Sequence, residues 1–191
     1  EINVMIMLKN APNIVSVENY AIIEKENSIG WNIYIRMDYL TSFVKHSVEQ
    51  RLDEGGIKKF GLDMCGALEI CAQKGIIHRD IKPDNIDEYG SYRLGDFGVA
   101  RRLENTVGAM SKKGTYSYMA PEVFKGEKYD NRADIYSLGM VMYKLLNNNR
   151  DPFVDPAKSF VTYNDKNAAI ERRFGGEKLP APVEASPAMT A

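Results

Sequence analysis

The stretch that leaves this chain the fewest options is His78-Arg79-Asp80-Ile81-Lys82-Pro83-Asp84-Asn85. An acid, a lysine and an amide fall within six residues, at Asp80, Lys82 and Asn85, and Asp96-Phe97-Gly98 begins eleven residues after Asn85. Asn85 and Asp96 offer hard oxygen ligands of the kind Mg²⁺ takes. Asp80 can orient a hydroxyl, and Lys82 can neutralise a phosphate. Chemistry at a metal-bound triphosphate needs those parts, because it depends mostly on positioning and charge neutralisation.

One such motif arises easily by chance. Two in order, followed by Ala120-Pro121-Glu122, do not. On these residues the sequence resembles the protein kinase family, in the serine/threonine branch that Lys82 marks. The resemblance implies an α+β, protein-kinase-like fold. Residues 1–37 would be a partial small lobe of one helix plus antiparallel strands, 38–40 a hinge, and 41–191 a mostly helical large lobe shortened at its C-terminal end. It also implies ATP and Mg²⁺ as cofactors and a protein bearing Ser or Thr as acceptor.

The family's roles fall on particular residues. Asp80 would accept a hydrogen bond from the acceptor hydroxyl, Lys82 would reach the γ-phosphate, and Asn85 and Asp96 would hold the metal. Met37 would be the gatekeeper behind adenine, with the Asp38 carbonyl and the Leu40 amide facing its edge. His78 would pack on Phe97, and Arg79 would receive a phosphate carried by the activation segment, with Thr106 and Ser111 as candidate acceptors. Thr115 opens Gly114-Thr115-Tyr116-Ser117-Tyr118-Met119-Ala120-Pro121-Glu122, which is similar to the family's peptide-docking strip, and would bond Asp80 and Lys82. Asp134 would anchor the backbone of the catalytic loop. Glu1 is the one residue placed to be the helix glutamate that pairs with a strand lysine, and the partner arginine of Glu122 would lie in a region the chain does not include.

Periodicity supplies the elements. Residues 1–9 read as a short helix stopped before Pro12. Ile14–Val17, Tyr20–Glu24 and Trp31–Met37 read as strands, with a turn at Asn27-Ser28-Ile29-Gly30. A short helix is expected over Thr41–Ser47. A long one runs from an Asp53 cap to Lys74, with Gly75 closing it and Met64, Leu68 and Cys71 on its core face. Ile76-Ile77 is a buried strand. A helix over Arg132–Asn147 carries Ile135, Leu138, Val141, Met142, Leu145 and Leu146 around much of its circumference and should be buried. Asn164 or Asp165 can cap a further helix ending at Phe174, and Pro180, Pro182 and Pro187 mark an extended tail.

Two features depart from the family. Only ten residues separate Asn85 from Asp96, about two fewer than the common pattern, and Asp87 stands where an apolar residue would lie under adenine. Losing two residues keeps side-chain alternation, so the hairpin should survive while the adenine floor weakens. No glycine-rich loop and no strand lysine precede the first helix, so the chain is expected to be a fragment or a gene product lacking half its small lobe. A catalytically impaired scaffold is therefore the alternative to an active serine/threonine kinase, although Asp80, Lys82, Asn85 and Asp96 are all intact. The docking strip opposes a small-molecule phosphotransferase.

A net charge of −1 without a basic run gives no reason to expect nucleic acid. No apolar run approaches the ~18 residues of a membrane span, and no signal-peptide layout is present, so a cytoplasmic protein is expected. Cys65 and Cys71, six apart in a helical pattern, read as reduced core thiols.

Overall fold

The computed structural model describes residues 2–26, 28–102 and 116–190. Glu1, Asn27, Thr106, Ser111 and Thr115 lie outside the described residues.

Helix α1 (Ile2–Met7) buries Val4 and Met5, and Leu8 just beyond it is 1% exposed. The chain then turns through Asn10 and Asn13, both at positive φ, a conformation that asparagine tolerates better than most residues. Strands β1 (Val17–Glu24) and β2 (Trp31–Met37) form an antiparallel hairpin with Tyr20 opposite Ile35 and Ile22 opposite Ile33. Ile14–Val17 is not a separate strand. Ile14 makes one parallel bridge to Leu94, and only Val17 enters β1. The hairpin keeps its apolar side chains largely outside: Ile22, Ile23, Trp31 and Ile33 are all exposed.

After residues 38–40, Thr41–Ser42 is strand β3 and the helix begins only at Phe43, as α2 (Phe43–Glu49). Helix α3 (Glu54–Gln73) starts where expected: the Asp53 side chain accepts from the Gly56 N–H at 2.7 Å. Its buried residues Ile57, Phe60, Met64, Ala67, Leu68 and Cys71 recur at helical spacing. Gly75, at φ 66, ends it in the left-handed conformation that glycine adopts without penalty. Cys71 is a core thiol whose pKa burial pushes up to about 12, but Cys65 is exposed, contrary to expectation. Phe43 stacks on Phe60 at 4.7 Å, and Tyr92 meets both edge-on. This cluster ties α2 and α3 to the strand that leads into Asp96.

Strand β4 (Ile76–Ile77) is fully buried and pairs with β7 (Arg101–Arg102). Strands β5 (Ile86–Glu88) and β6 (Tyr92–Leu94) form the shortened hairpin, which survives with Ile86 opposite Leu94, and β3 adds to the other edge of β5. The segment after α1 lies along β6: Leu94 N–H donates to Asn13 O at 2.8 Å and Val15 N–H to Leu94 O at 2.9 Å.

Helix α4 (Pro121–Lys125) precedes α5 (Arg132–Leu145), α6 (Tyr163–Phe174) and α7 (Pro187–Thr190). Helix α5 packs on α3 where Gly61 faces Met142: a Cβ at Gly61 would come within 2.8 Å of Met142 Cε. The buried face of α5 is Asp134, Leu138 and Val141 with Met140 and Tyr143, while Ile135 is exposed, so the helix is not buried all round. The cap of α6 is Thr162, not Asn164 or Asp165. Asp165 sits at the third helical position and completes a capping box with Thr162. The proline-rich tail is not wholly extended, since it ends in α7. Among the described residues no helix is long and apolar enough to cross a membrane.

Candidate active site

The loop from His78 to Asn85 hangs between β4 and β5, and one buried carboxylate sets its entry. Asp134, 2% exposed at the N-terminal turn of α5, accepts the His78 N–H at 2.7 Å on Oδ2 and the Arg79 N–H at 2.8 Å on Oδ1. Burial raises its pKa, and these hydrogen bonds act in the opposite direction. The anchoring expected of Asp134 is therefore present, and it holds Arg79 at φ 70, a strained conformation for a residue other than glycine.

His78 is fully buried and meets Phe97 edge-on at 4.8 Å. Its Nε2 donates to Gly95 O at 2.9 Å, so the ring is a structural clip between the loop and the Asp96 segment. Arg79 reaches the same segment from the other side. Its Nε donates to Val99 O at 2.7 Å and its Nη2 donates to the same carbonyl.

Asp80 and Lys82 project from the loop together. Asp80 Oδ2 accepts from Lys82 Nζ at 2.7 Å and from Asn85 Nδ2 at 3.1 Å. The hydrogen bond to Asp80 raises the pKa of Lys82, and the charges of Asp80, Asp84 and Asp96 add to it. Lys82 is thus a firmly charged ammonium in the field of three carboxylates. Pro83, which has no N–H to leave unpaired, opens the 3-10 turn that carries Asn85 inward.

Asn85 is 6% exposed, and its Nδ2 also donates to Asp80 O at 2.9 Å. Both bonds use the amide nitrogen and leave Oδ1 without a donor among the described residues. Gly95 N–H donates to Asn85 O at 2.8 Å, which brings Asn85 beside the residue before Asp96. The Asp96 carboxylate is exposed and, among the described residues, accepts only the Gly98 N–H, at 3.2 Å on Oδ1. One amide oxygen and one carboxylate, both open, suit Mg²⁺, which is usually held by one or two carboxylates together with substrate phosphates. No cluster of three His, Cys, Asp or Glu side chains forms a closed metal cage among the described residues.

Between β2 and β3, neither the Asp38 carbonyl nor the Leu40 N–H takes part in a turn or loop backbone hydrogen bond among the described residues. Met37 is half-exposed at the end of β2. The Asp38 side chain is latched to Arg93 of β6 at 3.4 Å, a partner without any motif to announce it. Asp87 lies opposite Arg93, with Oδ2 3.5 Å from where a Cβ on Gly95 would be. Burial raises the Asp87 pKa. A carboxyl whose folded pKa is raised binds more protons in the folded state, so its effect on stability is most favourable below the unfolded value. That stability falls as pH rises from there through the folded pKa. Asp87→Leu is expected to remove this pH dependence, to stabilise the fold by about 1 kcal/mol near neutral pH, and to tighten nucleotide binding severalfold. Urea midpoints across pH and calorimetric titration with Mg·ATP check it; unchanged midpoints and affinity would show that Asp87 is not the floor.

The strip after residue 115 returns to this loop. Burial pushes the Tyr118 hydroxyl up to about 12, and the charges of Asp151 and Asp84 contribute. Glu122 forms no salt bridge among the described residues. Arg132 pairs with Asp130 at 2.9 Å and feels Glu122 only as the weakest influence on its own pKa. The carbonyls of Tyr116 and Ser117 are held by Arg173 of α6, which no motif indicated. Its signal in the sequence was an arginine four residues after Ala169, on the buried face of α6.

Residues 1–190 match the protein kinase domain family. The chain is 34% identical over 168 residues to a probable serine/threonine-protein kinase PknB of Bifidobacterium longum, covering 81% of this chain and 24% of that protein. It is 35% identical over 165 residues to the serine/threonine-protein kinase PknB of Mycolicibacterium smegmatis, covering 81% and 26%. A mouse protein, sperm motility kinase Z, is 32% identical over 152 residues, covering 76% and 29%. The chain spans about a quarter of the length of the curated relatives it matches. A loop anchored by Asp134 that carries Asp80, Lys82 and Asn85 beside Asp96, in a chain that matches over nearly its whole length, makes this protein a member of the protein kinase family.

Proposed function

We propose that the chain is the catalytic part of a serine/threonine protein kinase that transfers the γ-phosphate of ATP to Ser or Thr hydroxyls of proteins, in the cytoplasm, with no part for nucleic acid. The observation that carries the reading is the Asp80–Lys82–Asn85 cluster, bonded at 2.7 and 3.1 Å, with Asp96 in the same electrostatic field. Asn85 Oδ1 and the Asp96 carboxylate would hold Mg²⁺, which when bound neutralises charge on the triphosphate and fixes its orientation. Asp80 receives and aims the acceptor hydroxyl, and Lys82 offers a cation to the transferring group. The Asp38 carbonyl and Leu40 N–H take the adenine edge, with Met37 behind. Arg79, held beside Val99, is positioned to receive a phosphate on the segment that contains Thr106 and Ser111. Thr115 would join Asp80 and Lys82 at the acceptor. Glu1 would be the small-lobe glutamate of the nucleotide site.

One observation favours a second reading, a kinase-like scaffold with impaired catalysis: the partly buried carboxyl of Asp87 at the adenine floor. Incubating the chain with γ-³²P-ATP, Mg²⁺ and a mixed Ser/Thr peptide substrate separates the two. Acid-stable label on serine or threonine, lost with a chelator and in Asp96→Asn, supports the kinase. Calorimetric Mg·ATP binding without label transfer supports the scaffold, and absence of both removes the kinase reading.

A further inference from the structure

The C-terminal end of α6 buries an arginine that no carboxylate among the described residues pairs with. Arg173 is 3% exposed. Its Nη1 donates to Ser117 O at 2.6 Å, and its Nη2 donates to Tyr116 O. Its Nε is buried with no hydrogen-bond partner among the described residues. The guanidinium lies 4.7 Å from the Phe174 ring and 6.0 Å from that of Tyr136. Burial lowers its pKa, and Asp151 acts only as a distant charge.

A guanidinium removed from water without an anion is costly, so the groups that solvate it must be held in register with it. Those groups are two successive carbonyls of the strip that follows residue 115. Only a planar fork meets both at once; an ammonium is a point charge. The rings around it reinforce the same joint. Phe124 of α4 stacks on Phe174 at 4.0 Å and 10°, and Tyr116 meets Phe124 edge-on at 6.0 Å. Immediately after the clamped carbonyls, Tyr118 feels the Asp84 charge of the loop that carries Asp80.

We propose that Arg173 is a positioning residue for the acceptor-peptide strip. It fixes the Tyr116 and Ser117 carbonyls and so sets the strip against the Asp80 loop from the end of α6. Because it occupies both carbonyls, the strip meets an acceptor peptide with its N–H groups and side chains. The inference rests on the kinase reading for its catalytic consequence, but the clamp itself is measurable without activity.

The test compares Arg173→Met, Arg173→Lys and Phe174→Leu in the whole chain. Phe174→Leu loses the ring stack and keeps the guanidinium. Amide hydrogen exchange over residues 116–120 is expected to quicken about tenfold in Arg173→Met, as expected for loss of two charged hydrogen bonds. The increase is expected to be smaller in Arg173→Lys and slight in Phe174→Leu, even where the Tm falls comparably. Where the chain transfers phosphate, the peptide KM should rise about tenfold in Arg173→Met while the ATP KM and kcat hold, and Arg173→Lys should recover part of it. Exchange at 116–120 equal to wild type, or quickened equally by Phe174→Leu, overturns the proposal, as does a change in ATP KM matching that in peptide KM. Quickened exchange in Arg173→Met, with no phosphate transfer and no Mg·ATP binding by the wild-type chain, keeps the clamp and removes the kinase reading. If Arg173→Met does not fold, the contrast of Arg173→Lys with Phe174→Leu decides alone.

Discussion

Asp134→Ala is expected to destabilise the fold by about 3 kcal/mol or more and to abolish phosphate transfer. The carboxylate accepts two backbone N–H groups, from His78 and Arg79, at 2.7 and 2.8 Å in a site that is 2% exposed. Truncation leaves both donors unpaired, and each buried orphan costs about 1–3 kcal/mol. It also releases Arg79 from φ 70, a conformation worth keeping only while the surroundings impose it. Asp134→Asn should recover less than half the loss, because its amide offers one acceptor and turns a second donor toward the other N–H. Urea unfolding of both variants against Leu138→Ala, a cavity control on the same helix, measures this. A loss under about 1 kcal/mol for Asp134→Ala would mean that the loop is held by other contacts, of which the His78–Gly95 bond is the leading one.

Legibility followed the chemistry. The spacing of the loop motif was legible as proximity: Asp80 is bonded to Lys82 and Asn85, the Asp96 charge reaches Lys82, and His78 packs on Phe97. Helix α3 was legible because its cap, period and closing glycine agree. Helix α5 was only half legible. Apolar residues on most sides cannot tell which side lacks a neighbour, and Ile135 faces solvent. The cap of α6 was misplaced although Thr162-Tyr163-Asn164-Asp165 carries the box signature, because Asp165 serves two residue positions in that signature, as a plausible cap and as the reciprocal acceptor. Main-chain partners left no trace at all. Gly95, Val99, Tyr116 and Ser117 contribute carbonyls, so their side chains say nothing of the bonds that His78, Arg79 and Arg173 make. The Asp38–Arg93 latch joins residues 55 apart through ordinary surface charges, and only the register of β6 brings them together.

Asp80→Asn is expected to lower kcat by about 10²–10⁴-fold while leaving Mg·ATP affinity within about threefold of wild type. The amide is nearly the same shape and can still offer an oxygen to Lys82 and Asn85, so the loop should keep its geometry. What disappears on the proposed reading is the charge that attracts and aligns a hydroxyl proton, and with it the charge assistance of the hydrogen bond that most raises the Lys82 pKa. A lysine whose folded pKa is raised contributes its stability fully below the unfolded pKa and loses it only as pH rises through the folded one, so at neutral pH that contribution is complete. With both side chains partly open to solvent, its loss should shift stability by no more than about 1 kcal/mol. The variant therefore separates catalysis from folding, which Asp134→Ala does not. Lys82→Met should also slow transfer, yet with a rise in ATP KM, because the proposed mechanism sets the lysine against the phosphate rather than the acceptor. Initial rates at saturating ATP and peptide, beside calorimetric Mg·ATP titrations, distinguish the two. An Asp80→Asn chain retaining more than about a tenth of the wild-type rate would mean that positioning by Lys82 and the metal suffices, and that Asp80 orients the loop rather than the acceptor.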